Sequence, residues 1–195
     1  MSTLGLTGNI AAGKTYVADI FQSLGAVIYS ADIAAHEIMQ GLAFEQIKAV
    51  FPEVIEDGKV SRVKLGMIVF SDEEKLVQLE QILHPLVRKK NLEFIAANPG
   101  KLLVLEIPLL YETDAHEICD FTAFVNVSRE TQKQRALARQ GLDPLKLEKI
   151  IERQTKIPVE EKLRRADFII HNEPGSDVIG EVKKIIHSIS RAKLL

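Results

Sequence analysis

Cysteine is nearly absent from this chain of 195 residues: Cys119 stands alone, so no internal disulfide can form, and a reducing compartment is expected. No apolar run approaches the ~20 residues that a membrane-spanning helix needs. Neither sign of charge dominates. A formal net charge of -2 gives neither the basic footprint of a nucleic-acid binder nor an acidic solvating tail, so small molecules are the expected partners, with no nucleic acid and no membrane. Internal repeats, low-complexity tracts and domain linkers are also missing. His36, His116, His171 and His187 have no mutual spacing that would hold a metal. The first residues enter a strand directly, without a basic segment, an apolar run and a cleavage site, so no leader is read there. A soluble cytoplasmic protein is expected, with 46% hydrophobic content and a length suited to one domain. No oligomeric state is implied.

What is present is concentrated in Gly8-Asn9-Ile10-Ala11-Ala12-Gly13-Lys14-Thr15, which fits G-x-x-x-x-G-K-[ST]. Leu4 and Leu6 alternate with small residues ahead of it, as in a short strand. Behind it Tyr16, Val17, Ile20, Phe21 and Leu24 recur at helical spacing until Gly25. Strand, glycine loop and helix is the arrangement that polyphosphate binding requires. Backbone N–H groups at a helix N-terminus surround a dense anion, and Gly8 and Gly13 supply positive φ without a Cβ in the way. Lys14 then reaches the β- and γ-phosphates, and the Thr15 hydroxyl is placed to ligate Mg²⁺.

The rest of the chain alternates strands and helices. Ala26 to Tyr29 reads as a strand with Ser30-Ala31-Asp32 at its carboxyl end, the edge where parallel sheets bind ligands. Asp32 either caps a helix from Ile33 to Met39 or works on a substrate; position alone leaves both open. Phe44, Ile47, Val50 and Phe51 continue a helical pattern that Pro52 stops, and Asp57-Gly58 turns between two short extended pieces. A helical face follows from Arg62 to Phe70. Ser71-Asp72-Glu73-Glu74 reads as a capping box opening a long amphipathic helix, which His84-Pro85 is expected to bend or restart. Leu102 to Pro108 is the strongest strand, and Glu106 at its end is either a Mg²⁺ shell ligand or a partner of Lys14. Phe121 to Val127 is a further strand, with Ser128 capping a helix through Arg139. Asp143 and Pro144 start a second helix that runs to about Gln154. This hairpin gathers Arg129, Lys133, Arg135, Arg139, Lys146, Lys149 and Arg153, as a solvated face of i,i+4 pairs or as a lid over phosphate. Asp167 to Asn172 is the last strand, before an amphipathic helix carrying Val178, Val182, Ile185, Ile186 and Ile189. Five strands with intervening helices predict an α/β fold, a doubly wound five-stranded parallel sheet with two helical insertions.

Together these motifs resemble dephospho-CoA kinase, a P-loop kinase family. The similarity runs through Leu6-Thr7-Gly8, Ala31-Asp32 with Ala35-His36, Val69-Phe70-Ser71-Asp72, Leu83-His84-Pro85-Leu86-Val87, Ile107-Pro108-Leu109-Leu110-Tyr111-Glu112, and Ala166-Asp167 with Asn172. The resemblance implies transfer of the ATP γ-phosphoryl group to the ribose 3′-hydroxyl of dephospho-CoA. It implies one P-loop kinase domain, with its core in 1–32, 100–128 and 166–195, an acceptor-binding helical region at 33–99 and a lid at 129–165. Asp32 matches the acidic residue at the acceptor hydroxyl, with His84, Arg88 and Leu110 on the acceptor side. Nucleotide contacts fall on Gly8, Ala11, Ala12, Gly13, Lys14, Thr15 and Tyr16, with Asn172 near the adenine. Arg135 and Arg139 match the lid arginines. The family commonly has glycine where this chain has Asn9 and Ala11, and Asp-Ala-Asp where it reads Ser30-Ala31-Asp32. The competing readings are a nucleoside or nucleotide kinase with another acceptor, a P-loop GTP switch, and a non-catalytic nucleotide-binding module. The switch lacks its guanine-reading Asn-Lys-x-Asp element, since Val125-Asn126-Val127-Ser128-Arg129 supplies none. Intact Lys14, Thr15 and Asp32 speak against the inert module.

Overall fold

The computed structural model describes residues 2–138 and 157–192. β1 (Ser2–Gly8) is buried along its whole length. Its side chains alternate between two covered faces, Leu4 and Leu6 on one and Thr3, Gly5 and Thr7 on the other, as a central parallel strand requires. β1 pairs with β5 (Leu102–Glu106) and β6 (Phe121–Asn126), setting Leu6 opposite Glu106 and Gly8 opposite Val125. β2 (Val27–Ser30) lies outside β5, and β7 (Phe168–His171) outside β6, all in parallel. The order is therefore β2-β5-β1-β6-β7, the doubly wound five-stranded parallel sheet expected from the sequence. Connections leave β1 and its neighbours in opposite directions, so the carboxyl end of β1 is a topological switch point, where such sheets bind ligands.

α1 (Lys14–Ser23) and α8 (Val178–Ala192) cover one face of the sheet. Val17, Ala18, Ile20 and Phe21 from the first, and Val178, Val182, Ile185 and Ile189 from the second, meet Leu4, Leu6, Val104, Ala123, Val125 and Ile170. On the other face Gly5 leaves room for large neighbours: a Cβ there would stand 2.9 Å from Cys119 Sγ and 3.0 Å from a Leu110 methyl. Burial pushes the Cys119 thiol up to about 12, which leaves it a packing group without thiolate chemistry. At the amino edge of the sheet, two aspartates latch adjacent strands. Asp120 Oδ2 accepts from the Thr3 amide at 2.7 Å, and Asp167 Oδ2 accepts from the Thr122 amide and hydroxyl at 2.7 and 2.9 Å. Because a one-residue slip would unmake these bonds, they fix the register of β1, β6 and β7.

The chain divides into two compact units, one holding Met1–Ser30 and Ile95–Leu195, the other Ala31–Phe94. The second contains α2 (Ala31–Gln40), α3 (Phe44–Val50), the hairpin of β3 (Ile55–Glu56) and β4 (Lys59–Val60), α4 (Arg62–Val69) and most of α5 (Glu73–Ala97). Ile38, Ile47, Phe51, Val54, Val60, Leu65, Val69 and Leu79 form its own core. Asp57 and Gly58 take φ values of 47° and 72°, the double positive φ of a tight hairpin turn. Gln40 completes the hairpin edge: its amide donates to the Val60 carbonyl at 2.9 Å and accepts from the Val60 N–H at 3.0 Å, as another strand would.

Three local expectations are corrected. α5 runs unbroken from Glu73 to Ala97 with Pro85 inside it. Leu76, Leu79, Ile82 and Leu83 before the proline and Leu86 and Val87 after it all pack on the same core, which offsets the one helical hydrogen bond that proline removes. Asp72, rather than a Ser71 capping box, starts α5: its Oδ1 accepts from the Glu74 and Lys75 amides, while Ser71 Oγ donates back to the carbonyls of Met67 and Ile68. Asp32 does not occupy the N-cap position, because Ala31 is already helical and Asp32 stands within the first turn of α2. Ser128, by contrast, does cap α6 (Arg129–Leu137), accepting from the Thr131 amide at 3.2 Å. Among the described residues no helix is long and apolar enough to cross a membrane.

Candidate active site

The loop between β1 and α1 is shaped by its two glycines. A Cβ on Gly8 would stand 2.6 Å from the Val125 carbonyl oxygen of the neighbouring strand, which cannot move aside. Gly13 has φ +88°, and a Cβ on it would overlap the side-chain nitrogen of Asn172. Ala12 N–H donates to the Asn9 carbonyl at 3.1 Å, closing the turn. Ala11 also has positive φ, 60°, with a methyl buried against Ile10 and Ala136 of α6. An alanine held there is strained by about 1 kcal/mol. Ala11→Gly is therefore expected to leave the loop intact and hold or raise Tm by up to about 3 °C, measured by thermal unfolding.

Lys14 begins α1 and folds back over its own loop, donating to the carbonyls of Gly8 at 2.9 Å and Asn9 at 3.3 Å. One residue on, the Thr15 hydroxyl donates to Glu106 Oε1 at 2.9 Å. This links the loop to the end of β5, opposite Leu6, and joins two hard oxygen ligands at the helix N-terminus. Tyr16 follows, about half exposed at 53%.

A second group of residues closes the other side of the loop. Asn172, just past β7, is buried and donates from Nδ2 to the Ala12 carbonyl at 2.8 Å. Arg135 on α6 donates to the Asn172 carbonyl at 2.9 Å and to the Ala12 carbonyl at 3.5 Å. Arg135 and Asn172 thus both meet the Ala12 carbonyl of the phosphate loop, a contact the sequence does not foresee, since its resemblance sets Arg135 in a lid and Asn172 near the adenine. Glu173 was not foreseen, since an exposed loop glutamate carries no periodic or motif signal. Its carboxylate accepts from the Ser128 N–H and, at 2.5 Å, from the Thr131 hydroxyl, and these bonds hold it below the usual carboxylate range. Also unforeseen is the ion pair between Lys162, on α7 (Val159–Arg165), and Glu112, 2.5 Å apart and buried on both sides.

Leu110 is fully buried under Gly5 and belongs to the core rather than to a ligand surface. Tyr111 is buried as well, in keeping with a packing role, with Arg165 over its ring at 5.9 Å. In the second unit, His84 and Arg88 lie one turn apart on α5, and partial burial lowers the His84 pKa from its ordinary value, favouring the neutral ring. Asp32 lies two residues beyond Ser30, the end of β2, whose partner on β5 is Glu106. Arg139 and the helix expected from Asp143 to Gln154 lie outside the described residues.

Comparison with known proteins places this geometry. The dephospho-CoA kinase family model matches residues 2–177. A dephospho-CoA kinase of Rhodopseudomonas palustris (strain HaA2) is 37% identical over 195 residues, covering 98% of this chain and 97% of that protein. One from Bartonella henselae is 41% identical over 193 residues, with 97% of each chain covered. Among solved structures, dephospho-CoA kinase from Campylobacter jejuni superposes with a TM-score of 0.72 at 34% identity, covering 98% of both chains. Shikimate kinase from Acinetobacter baumannii, at 18% identity and a TM-score of 0.57, covers 100% of this chain and 96% of its own and shares the fold.

Proposed function

Since the chain belongs to the dephospho-CoA kinase family, we propose that it transfers the γ-phosphoryl group of ATP to the ribose 3′-hydroxyl of dephospho-CoA, yielding coenzyme A and ADP in the cytoplasm. The observation that carries the mechanism is the loop closing β1, with Lys14 over its carbonyls and Thr15 on Glu106. Its amides and the N-terminus of α1 receive the β- and γ-phosphates, and Lys14 turns from Gly8 and Asn9 to the phosphate oxygens. The Thr15 hydroxyl and Glu106 carboxylate form an oxygen-only donor pair of the kind Mg²⁺ takes beside phosphate and water. When bound there, Mg²⁺ neutralises charge on the β- and γ-phosphates.

The 3′-oxygen attacks γ-phosphorus, the bond to the β,γ-bridging oxygen breaks, and ADP leaves with that electron pair. Asp32, in the first turn of α2 directly after β2, accepts the hydroxyl proton. His84 and Arg88 serve the acceptor, and Arg135, with Arg139 by family resemblance, offsets charge on the transferring group. Asp32→Asn keeps the shape and removes the base, so kcat is expected to fall about a hundredfold while the KM for ATP stays within about twofold. An unchanged kcat would remove Asp32 from the chemistry.

The reading itself is tested by ADP release from Mg-ATP with dephospho-CoA, and separately with adenosine, AMP, CMP or pantothenate, with the product identified by mass. Release that depends on dephospho-CoA and yields coenzyme A is expected. Release with another acceptor would keep the kinase and discard the acceptor.

A further inference from the structure

Residues 172 and 173 are stitched to α6 at two levels. At the root of the helix, the Glu173 carboxylate takes the Ser128 N–H and the Thr131 hydroxyl, and Ser128 Oγ and Thr131 Oγ1 are themselves 3.0 Å apart. An anion at this end of a helix is also favoured by the helix dipole. One turn further along, Arg135 reaches the Asn172 carbonyl at 2.9 Å, and Asn172 holds the Ala12 carbonyl of the phosphate loop at 2.8 Å. If the root of α6 were free to rotate, Arg135 would swing off Asn172, and Asn172 would lose the only side chain that the described residues show on its carbonyl.

We propose that Glu173 is a positioning residue for ATP: by clamping Ser128 and Thr131 it sets the azimuth of α6, and through Arg135 and Asn172 it fixes the wall of the phosphate loop. Glu173 touches no reacting atom. Its effect is exerted through the placement of Arg135, and it rests on the reading of the loop as an ATP site. A displacement of about 1 Å in such a supporting shell is enough to weaken a site strongly.

The test compares Glu173→Ala, Glu173→Asp and Glu173→Gln in the full chain. Alanine removes both acceptors and aspartate is one methylene too short. Glutamine accepts the Ser128 N–H through its oxygen and donates to Thr131 Oγ1, which is able to accept. Expected is a rise of about tenfold in the KM for ATP for the first two, with the KM for dephospho-CoA unchanged, Tm within a few degrees of wild type, and most of the loss restored by glutamine. Thr131→Val should produce the same rise, and combining it with Glu173→Ala should add little, because both break one clamp. Calorimetric titration with Mg-ATP alone reads the same quantity without the acceptor, so it decides the proposal even if dephospho-CoA proves to be the wrong substrate. An ATP affinity within about twofold of wild type in Glu173→Ala would overturn it. So would a loss of affinity that glutamine fails to restore and that tracks a fall in Tm, since Glu173 would then only support the fold.

Discussion

Replacing Lys14 with alanine is expected to lower kcat about a thousandfold, a loss of ~4 kcal/mol of transition-state stabilisation, while Tm moves by no more than a few degrees. The asymmetry follows from what Lys14 touches. In the fold its ammonium rests on the carbonyls of Gly8 and Asn9, at 2.9 and 3.3 Å, at the mouth of the loop. Its loss costs the fold little, because a typical hydrogen bond contributes about 1 kcal/mol net. During transfer, negative charge shifts onto the β,γ-bridging oxygen, and a fixed positive charge one residue into α1 is then worth far more than its resting contacts. Single-turnover phosphoryl transfer, with thermal unfolding alongside, measures both halves. A variant within tenfold of wild type would remove Lys14 from the chemistry.

Lys162→Met should cost about 3–5 kcal/mol of stability, lowering Tm by about 6–20 °C. Lys162 is 3% exposed and its Nζ stands 2.5 Å from Glu112 Oε1, so methionine leaves a carboxylate buried without its counter-charge. The pair joins α7 to the turn after β5. Adding Glu112→Leu to Lys162→Met should recover a large part of the loss, since a fully apolar pair avoids desolvating either charge. Urea unfolding of the two single variants and the double variant gives the coupling directly. Equal stability of Lys162→Met and wild type would show that water reaches Glu112.

The phosphate loop was legible in the sequence because everything that defines it is local: Leu4 and Leu6 before, two glycines and Lys14-Thr15 within, a helical stripe after. The sheet was legible for a similar reason, since each strand is a short apolar run with its own boundaries. Contacts between distant segments were not. Thr15 and Glu106 are 91 residues apart, and only the register of β1 against β5 reveals that their side chains meet. Glu173 and Lys162 look like ordinary surface charges in the sequence, and their roles exist only once β7 and α7 are docked. At Pro85 the reverse holds: its local preference for a restart is outweighed by packing on both sides of it, and α5 continues through it. Asp32 leaves the cap position because α2 starts two residues earlier than expected, at Ala31, a boundary that sequence patterns rarely fix.

The strand order also governs the timing of synthesis. β1 is made first, yet both strands that flank it, β5 and β6, begin about a hundred residues later. At elongation rates of about 5–20 residues per second, the strand leading into the phosphate loop spends roughly 5–20 s off the ribosome's active centre with neither edge paired. Leu4 and Leu6 must stay out of wrong partnerships for that interval. The nascent chain therefore carries β1 with both edges unguarded until β5 and β6 are made, and the Asp120 latch on Thr3 closes only when that wait is over.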